Sequence, residues 1–432
     1  MRRRLAVVTV GCKTNFADSA GIVALAARKG FSVVPPGDPA DVLVVNSCTV
    51  THRADRDSRA LARRLRRENP GAAIVFTGCY AESSPGERER LPEVDHWVGI
   101  RDPARLGELL SRLAGPEPAP ACDIPEYAAD RLLGHNRTFL KIQDGCDASC
   151  AYCIVPLARG PGRSLPAGDV IDRAVRAERD GARELVLTGI HAGRYGDDRG
   201  ERDGLAALLS TLLSATSACR FRLGSVETPE ITPRLVGLLA SGDRVCPHLH
   251  VPLQSGSDRV LRRMRRPYTA RQFRDVLGRL AAAVPGIRLG ADVIAGFPGE
   301  TADDFEETAR VIRATPVSYL HAFPYSPRAG TESARWADDV PVAEKKVRVA
   351  RLREMDATLR KGFLAAQVGR RLTAVAETRD PATGEFRGTT ENYADVGFRA
   401  DGLRVGELCP VRVLSVDGNR LMGRGEHAAV GA

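Results

Sequence analysis

No apolar run in this 432-residue chain reaches the roughly 18 residues that a membrane-crossing helix needs, which argues against a helical membrane protein. The nearest thing to a leader is Arg2-Arg3-Arg4 followed by Leu5 to Val10 and Gly11-Cys12, which mimics a lipoprotein signal. Its apolar part is shorter than the roughly 7–15 residues of a true one, so it reads as a first strand. Dense cysteine pairing is also missing. Ten cysteines spread over such a length are not the framework of a small secreted domain, and reduced thiols in the cytoplasm fit better. Aromatic residues are scarce, at 5%, but a hydrophobic fraction of 43% is ample for a core. There are no repeats. Acidic side chains are outnumbered, leaving a net charge of +9. That balance permits a polyanionic partner such as nucleic acid. An arginine-rich composition can equally reflect genome bias, so charge alone decides nothing.

What the chain does have is Cys146-Asp-Ala-Ser-Cys150-Ala-Tyr-Cys153. A C-x₃-C-x₂-C loop brings together three thiolates, where four would close a structural zinc or iron–sulfur site. Three leave one iron of a [4Fe–4S] cluster open to a reactant. The plain alternative is a zinc knuckle with a fourth ligand such as His135 or His191. Structural zinc usually shows two Cys/His pairs, and no second C-x₂-C exists here.

The expected fold class is α/β. Residues 1–114 alternate apolar runs (Leu5–Val10, Val42–Val45, Ile74–Phe76) with helical patterns near 18–29 and 56–67, which predicts a parallel sheet. A linker is expected over 115–134, beginning with the Pro-rich stretch 115–120. Residues 135–362 repeat the rhythm with candidate strands Thr138–Ile142, Glu184–Leu187, Phe221–Val226, His248–Leu253, Leu289–Ile294 and Tyr319–Phe323. Those units predict a partial or full (β/α) barrel, with the cysteine loop after its first strand, at the end where such barrels carry their sites. Over 365–428 the rhythm turns all-β, with runs Leu372–Glu377, Phe386–Thr390, Val411–Val416 and Leu421–Gly423. A small OB-type barrel is expected, a shape that commonly binds oligonucleotides.

A second group of cysteines emerges from this layout. Cys12, Cys48 and Cys79 each follow a predicted strand within a residue or two, in VVTVGC, VLVVNSC and IVFTGC. If those strands are parallel neighbours, the three thiols share the sheet edge where open α/β sheets bind ligands. They would form a second three-thiolate site, again with one open iron; the alternative is three unrelated buried thiols.

At these motifs the chain resembles the radical S-adenosylmethionine (SAM) enzymes, and within them the methylthiotransferases. CDASCAYC resembles the cluster loop of the superfamily, while GCKTN, NSCTVT and TGCYA resemble the methylthiotransferase branch. HLHVPLQSGSDRVLRRMRR (248–266), DVIAGFPGET (292–301) and FPYSPRAGT (323–331) agree, and GTTENYADV (388–396) is similar to the branch's small RNA-binding TRAM domain. NSCTVTHRADRDSR (46–59) and FLKIQDGCD (139–147) look most like the enzymes that modify threonylcarbamoyladenosine, the adenosine 3′ of the anticodon in tRNA. One departure is Leu165, where the family commonly has arginine.

The resemblance implies two [4Fe–4S] clusters and SAM. Cys146, Cys150 and Cys153 would hold the cluster that binds and cleaves SAM; Cys12, Cys48 and Cys79 would hold the one that presents sulfur. No side-chain acid or base converts an aromatic C–H to C–SCH₃, so no catalytic side chain is expected and the cofactors carry the chemistry. Thr188 and Gly189, Ser225 and Glu227, and Gln254 and Ser255 stand at strand ends and are the candidate SAM contacts. Asp292 and the turn 296–299 suit either ligand contact or punctuation. Arg56, Arg59, Arg63 and Arg67 recur on one helical face and Arg262, Arg263, Arg265 and Arg266 cluster; either set suits phosphate contacts or a solvated surface. Tyr393 and Phe398 suit base stacking or a barrel core. Cys122, Cys219, Cys246 and Cys409 match no cluster motif and are expected to be incidental thiols. A tRNA substrate, an external electron donor and a sulfur donor are the implied partners, with no membrane and a monomeric, cytoplasmic enzyme. The rival targets are isopentenyl-adenosine in tRNA and an aspartate of a ribosomal protein; Thr49-Val50-Thr51 after Cys48 favours tRNA over the protein. A rival of another class is a non-enzymatic iron–sulfur RNA-binding redox sensor, which needs only one cluster.

Overall fold

The computed structural model describes residues 2–115, 122–242 and 244–426. Most of the Pro-rich stretch and the last residues of the predicted C-terminal domain lie outside them. The N-terminal sheet contains five parallel strands, with Val42–Ser47 at its centre between Arg4–Thr9 and Ala73–Gly78, and the short strands Ser32–Val33 and His96–Trp97 at its edges. Val42–Ser47 is buried at every position, which is why it reads as an unbroken apolar run rather than an alternating one. The register sets Thr9 beside Asn46 and Asn46 beside Thr77, so the three strands end abreast. Helices Lys13–Arg28, His52–Glu68 and Cys79–Ser83 follow them. The Thr51 hydroxyl caps the second of these by accepting from the Ala54 N–H at 3.2 Å.

The central region forms six parallel strands, Thr138–Lys141, Glu184–Thr188, Arg220–Leu223, His248–His250, Arg288–Ala295 and Val317–Pro324. They make two three-stranded sheets joined through the Phe221–Val245 and Ser225–His250 bridges. Among the described residues no pairing joins the first strand to the last, so the sheet is an open arc, a partial barrel. Amphipathic helices cover its outside; Ala270–Ala283, for example, buries Phe273, Val276, Leu277 and Leu280. A long helix, Val342–Ala365, packs along the last strand and leads to the C-terminal domain.

That domain is a closed barrel of strands Arg371–Arg379, Phe386–Thr390, Asp395–Arg399, Leu408–Asp417 and Arg420–Gly425. The expected runs supply four of the strands. The other, Asp395–Arg399, has only three buried residues between charged ends and one of them is glycine, too short a pattern to stand out. A helix, Glu126–Leu132, also occupies part of the expected linker.

A buried ionic cluster holds the two barrels together. Glu184, wholly inaccessible, accepts from Arg220 Nε at 2.7 Å and from Arg222 Nε at 2.7 Å. The same guanidiniums donate onward to the carbonyls of Thr373, Thr389, Thr390 and Glu391 in the C-terminal barrel. Burial disfavours charge on Glu184, but Arg222 and Arg220 outweigh it and hold the carboxyl far below its usual range. Glu184→Gln is therefore expected to cost about 3–5 kcal/mol in denaturant unfolding, since it strands buried cations. Because the folded carboxyl is depressed, its contribution is present above the ordinary value of 4.5 and fades as pH falls through the folded pKa, so the gap between wild type and variant narrows in acid.

Candidate active site

The aligned strand ends bring Cys12, Cys48 and Cys79 to one edge of the N-terminal sheet. Close approach there requires glycine. Gly11 has φ +122°, and a Cβ on it would lie 2.8 Å from the Cys48 Cβ; Gly78 has φ +95°, and its Cβ would lie 2.4 Å from the backbone of Ser47. Asn15 ties the edge together. Its Nδ2 donates to the carbonyls of Val10 at 2.8 Å and Ser47 at 3.0 Å. Its Oδ1 faces the sulfurs of Cys12 at 3.7 Å and Cys79 at 4.0 Å. Burial pushes the Cys48 thiol up, and the Cys79 thiol up to about 12 despite a neighbouring Arg159.

The second triad lies on the loop after the first barrel strand. This loop is pinned by Cys146 N–H to the Gly160 carbonyl at 3.0 Å and Ala151 N–H to the Met264 carbonyl at 3.1 Å. Cys146 Sγ is 3.2 Å from His191 Nδ1, whose Nε2 meets Glu230 Oε1 at 2.5 Å. Burial raises the Cys146 thiol, but the His191 hydrogen bond and charge, the Ala148 N–H and Arg194 together outweigh it and the net shift is downward. Burial alone dominates at Cys153, pushed up to about 12. Cys150 Sγ accepts from Arg266 Nη1 at 3.2 Å, and Arg266 also pairs with Glu227.

The two triads meet through Arg159, which follows the cysteine loop on the short helix Val155–Arg159 and is 1% exposed. Its Nε donates to Cys79 Sγ at 3.2 Å and its Nη2 to Asn15 Oδ1 at 2.7 Å. It also pairs with Asp18 at 2.8 Å and Asp144 at 3.1 Å. A second clamp is Arg328, which donates to Thr49 Oγ1 at 2.6 Å and pairs with Asp55 at 2.8 Å. The N-terminal sheet thus seats its cysteine edge on the mouth of the partial barrel.

Two cavities flank the loop. The larger, about 450 Å³, is lined by residues 147–150, His191, Glu227, Glu230 and Arg266. The smaller, about 210 Å³, lies between the domains, with Val50 and Thr51 on one side and Tyr152, Cys153, Gln254 and Asp292 on the other. Of the six expected SAM contacts, Glu227 and Gln254 line these spaces. Ser225 is exposed at its strand end. Gly189 packs on Gln143, where a Cβ would come within 3.1 Å. Thr188 is buried with its hydroxyl 3.4 Å from that of Thr14, across the domain seam. Ser255 is fully buried and its hydroxyl engages Thr308 and the Ser257 N–H, so it serves the local backbone.

Neither triad is gathered as tightly as a single zinc ion would hold it. A tetrahedral zinc with bonds of about 2.3 Å holds its sulfurs about 3.8 Å apart. Among the described residues, the set of three or more metal-donor groups gathered within 4.8 Å contains none of these cysteines. His135 packs instead against Phe16 and Phe139. Each triad also has one buried guanidinium on a thiol, Arg159 or Arg266, matching the negative charge that thiolate-ligated iron brings.

The comparisons agree with this architecture. Residues 140–312 match the family model "Radical SAM superfamily" and residues 4–99 match "Uncharacterized protein family UPF0004". A Bacillus subtilis protein named threonylcarbamoyladenosine tRNA methylthiotransferase MtaB is 38% identical over 94% of this chain and 92% of its own. One of the same name from Aquifex aeolicus is 35% identical over 95% of this chain and all of its own. A tRNA-2-methylthio-N(6)-dimethylallyladenosine synthase from Novosphingobium aromaticivorans is 33% identical over 97% of this chain and 96% of its own. The chain belongs to the radical SAM tRNA methylthiotransferase family. In fold, the solved radical SAM methyltransferase TsrM from Kitasatospora setae superposes with a TM-score of 0.55 at 14% identity, over 74% of this chain and 73% of its own.

Family membership makes this protein an enzyme and brings SAM and [4Fe–4S] clusters as its cofactors. The remaining sequence candidates separate cleanly. Arg266 turns inward to Cys150, while Arg263 stacks on Trp336 and Arg265 pairs with Glu332 at 2.7 Å. Arg59 and Arg63 pair with Glu87 and Glu93. Phe398 is 1% exposed and stacks on Phe386 in the small barrel's core; Tyr393 packs on His248 between Lys13 and Arg222. Leu165 packs on the core, and its carbonyl accepts from the Tyr195 hydroxyl at 2.8 Å. Cys219, Cys246 and Cys409 are buried and Cys122 is exposed. Asn15 and Arg328 lie within the GCKTN and FPYSPRAGT motifs, but sequence reasoning assigned no role to them or to Arg159, whose signal was its place just after the cysteine loop.

Arg159→Gln should keep the iron of the loop triad and lose that of the sheet triad. Anaerobic loading followed by iron and sulfide assay is then expected to fall from about eight irons per chain toward about four.

Proposed function

We propose that this enzyme transfers a methylthio group to C2 of N6-threonylcarbamoyladenosine, the adenosine 3′ of the anticodon in tRNA. The observation that carries this reading is the near full-length agreement with relatives of that printed name, at 38% and 35% identity. It is supported by Thr49-Val50-Thr51, which follows Cys48 and lines the inter-domain cavity with Val50 and Thr51. The dimethylallyladenosine reading rests on a similar near full-length agreement at 33% identity and stands second.

The residues divide by domain. Cys146, Cys150 and Cys153 hold the cluster at the barrel mouth, and Cys12, Cys48 and Cys79 hold the other. When bound, the cofactors supply a carbon-centred radical, a methyl group and sulfur. The protein's part is placement and exclusion of water. Arg266 bonds both Cys150 and Glu227, which keeps the loop and the wall of the larger cavity in fixed relation. Arg159 sets the sheet triad against the loop triad. The smaller cavity, closed by Tyr152, Ile294, Phe323 and Tyr325, gives a planar base an apolar slot between them. An external electron donor and a sulfur source complete the reaction.

Deleting the gene and analysing tRNA nucleosides by mass spectrometry tests the substrate. The expected result is loss of the methylthio form of threonylcarbamoyladenosine with build-up of its precursor; unchanged tRNA would refute the assignment. Cys79→Ala is expected to abolish methylthiolation yet leave reductive cleavage of SAM largely intact. Loss of cleavage with the loop cluster still present would contradict this division of labour.

A further inference from the structure

Inside the partial barrel runs a line of polar rings that none of these steps uses. His248 and His250 lie on one strand, Asp292 on the next, and Tyr319 and His321 on the one after. Within each strand the named residues are two apart, so they share a face. The Tyr319 hydroxyl is 2.8 Å from His248 Nε2 and 3.1 Å from His250 Nδ1. His250 Nε2 is 3.0 Å from Asp292 Oδ1, and His321 Nδ1 is 3.2 Å from the same oxygen. One nitrogen each from His250 and His321 and the Asp292 oxygen all lie within 4.8 Å of one another.

We propose that His250, Asp292 and His321 bind a first-row divalent cation at the wall of the smaller cavity. Two imidazoles and a carboxylate form a donor set that suits zinc, iron and their neighbours while leaving positions open. The spacing fits as well. A cation about 2.1 Å from each donor separates the donors by about 3.0 Å at bond angles near 90° and about 3.4 Å at the tetrahedral angle; the observed separations from the shared oxygen, 3.0 and 3.2 Å, fall in that range. The support around the donors fits a ligand role too. Ligating imidazoles commonly give their other N–H to a fixed partner. The Tyr319 oxygen is placed to accept the His250 Nδ1 proton while its hydroxyl donates to His248 Nε2, which leaves the His250 Nε2 lone pair free for a metal.

Access is available, because the His321 side chain is 50% exposed and Asp292 lines the cavity. The two imidazoles hydrogen-bonded around one carboxylate are then the cation-free form, and metal binding displaces a proton. The site is distinct from both cysteine triads and independent of which adenosine is modified.

The test uses the full chain with both triads loaded anaerobically, so that their thiols are occupied. Equilibrium dialysis against Zn²⁺ with elemental analysis should give about one tightly held zinc per chain in wild type and in Cys122→Ser. His321→Ala, at a half-exposed position whose loss leaves the core intact, should weaken zinc binding at least about tenfold, and Tyr319→Phe should weaken it less than His321→Ala. Unchanged zinc affinity in His321→Ala, loss of zinc with Cys122→Ser, or no zinc on wild type would each overturn the proposal.

Discussion

The contact on which the rest depends is the Arg159 guanidinium at the seam between the two cysteine triads. It is 1% exposed and faces a thiol, an amide oxygen and two carboxylates. A guanidinium offers five donors in a rigid plane, so four partners fix its position and one another's. Without a cation there, Asp18 and Asp144 would share that space with Lys141 as a weaker, single-point counter-charge. Arg159 thus follows the loop triad in one domain and binds a cysteine of the other, with Arg328 clamping the same seam.

Much of this architecture was legible in the sequence. The six barrel strands were foreseeable because buried parallel strands read as short apolar runs, and all six expected runs fall on observed strands. The sheet triad was foreseeable for a related reason. Each cysteine closely follows such a run, and parallel register turns that sequence position into a shared edge. The seam was not legible. Asn15, Arg159 and Arg328 act through contacts 144 and 279 residues apart in sequence, and in an arginine-rich chain a single inward-facing arginine has no local signature. Aromatic positions were ambiguous for a similar reason. Tyr393 and Phe398 suit a base-stacking face by composition alone, yet packing turns them inward.

Arginine does opposite jobs within short stretches of this chain. On the segment 262–266, Arg265 reaches an exposed glutamate while Arg266 goes to a cysteine sulfur. On the barrel strand, Arg220 and Arg222 satisfy both a buried carboxylate and backbone carbonyls of the next domain. A planar donor that stays charged when buried can serve as ion-pair partner and backbone cap at once; lysine, with a compact charge that burial neutralises more readily, cannot. Many of the chain's arginines are thus used inside the protein, so an arginine count alone does not measure what the surface offers to a polyanion.

The two triads differ in what must exist before they can form. Cys146, Cys150 and Cys153 lie within eight consecutive residues, so a loop can gather them with little chain to order. His191 also lowers the Cys146 thiol, which favours the thiolate that metal requires. Cys12, Cys48 and Cys79 converge only once three strands are in register and Gly11 and Gly78 have taken their positive-φ turns. Burial then raises Cys48 and Cys79, so metal must displace protons there against that environment. The sheet triad is a product of the folded domain and of Arg159 reaching across the seam, whereas the loop triad is close to a property of its own local sequence.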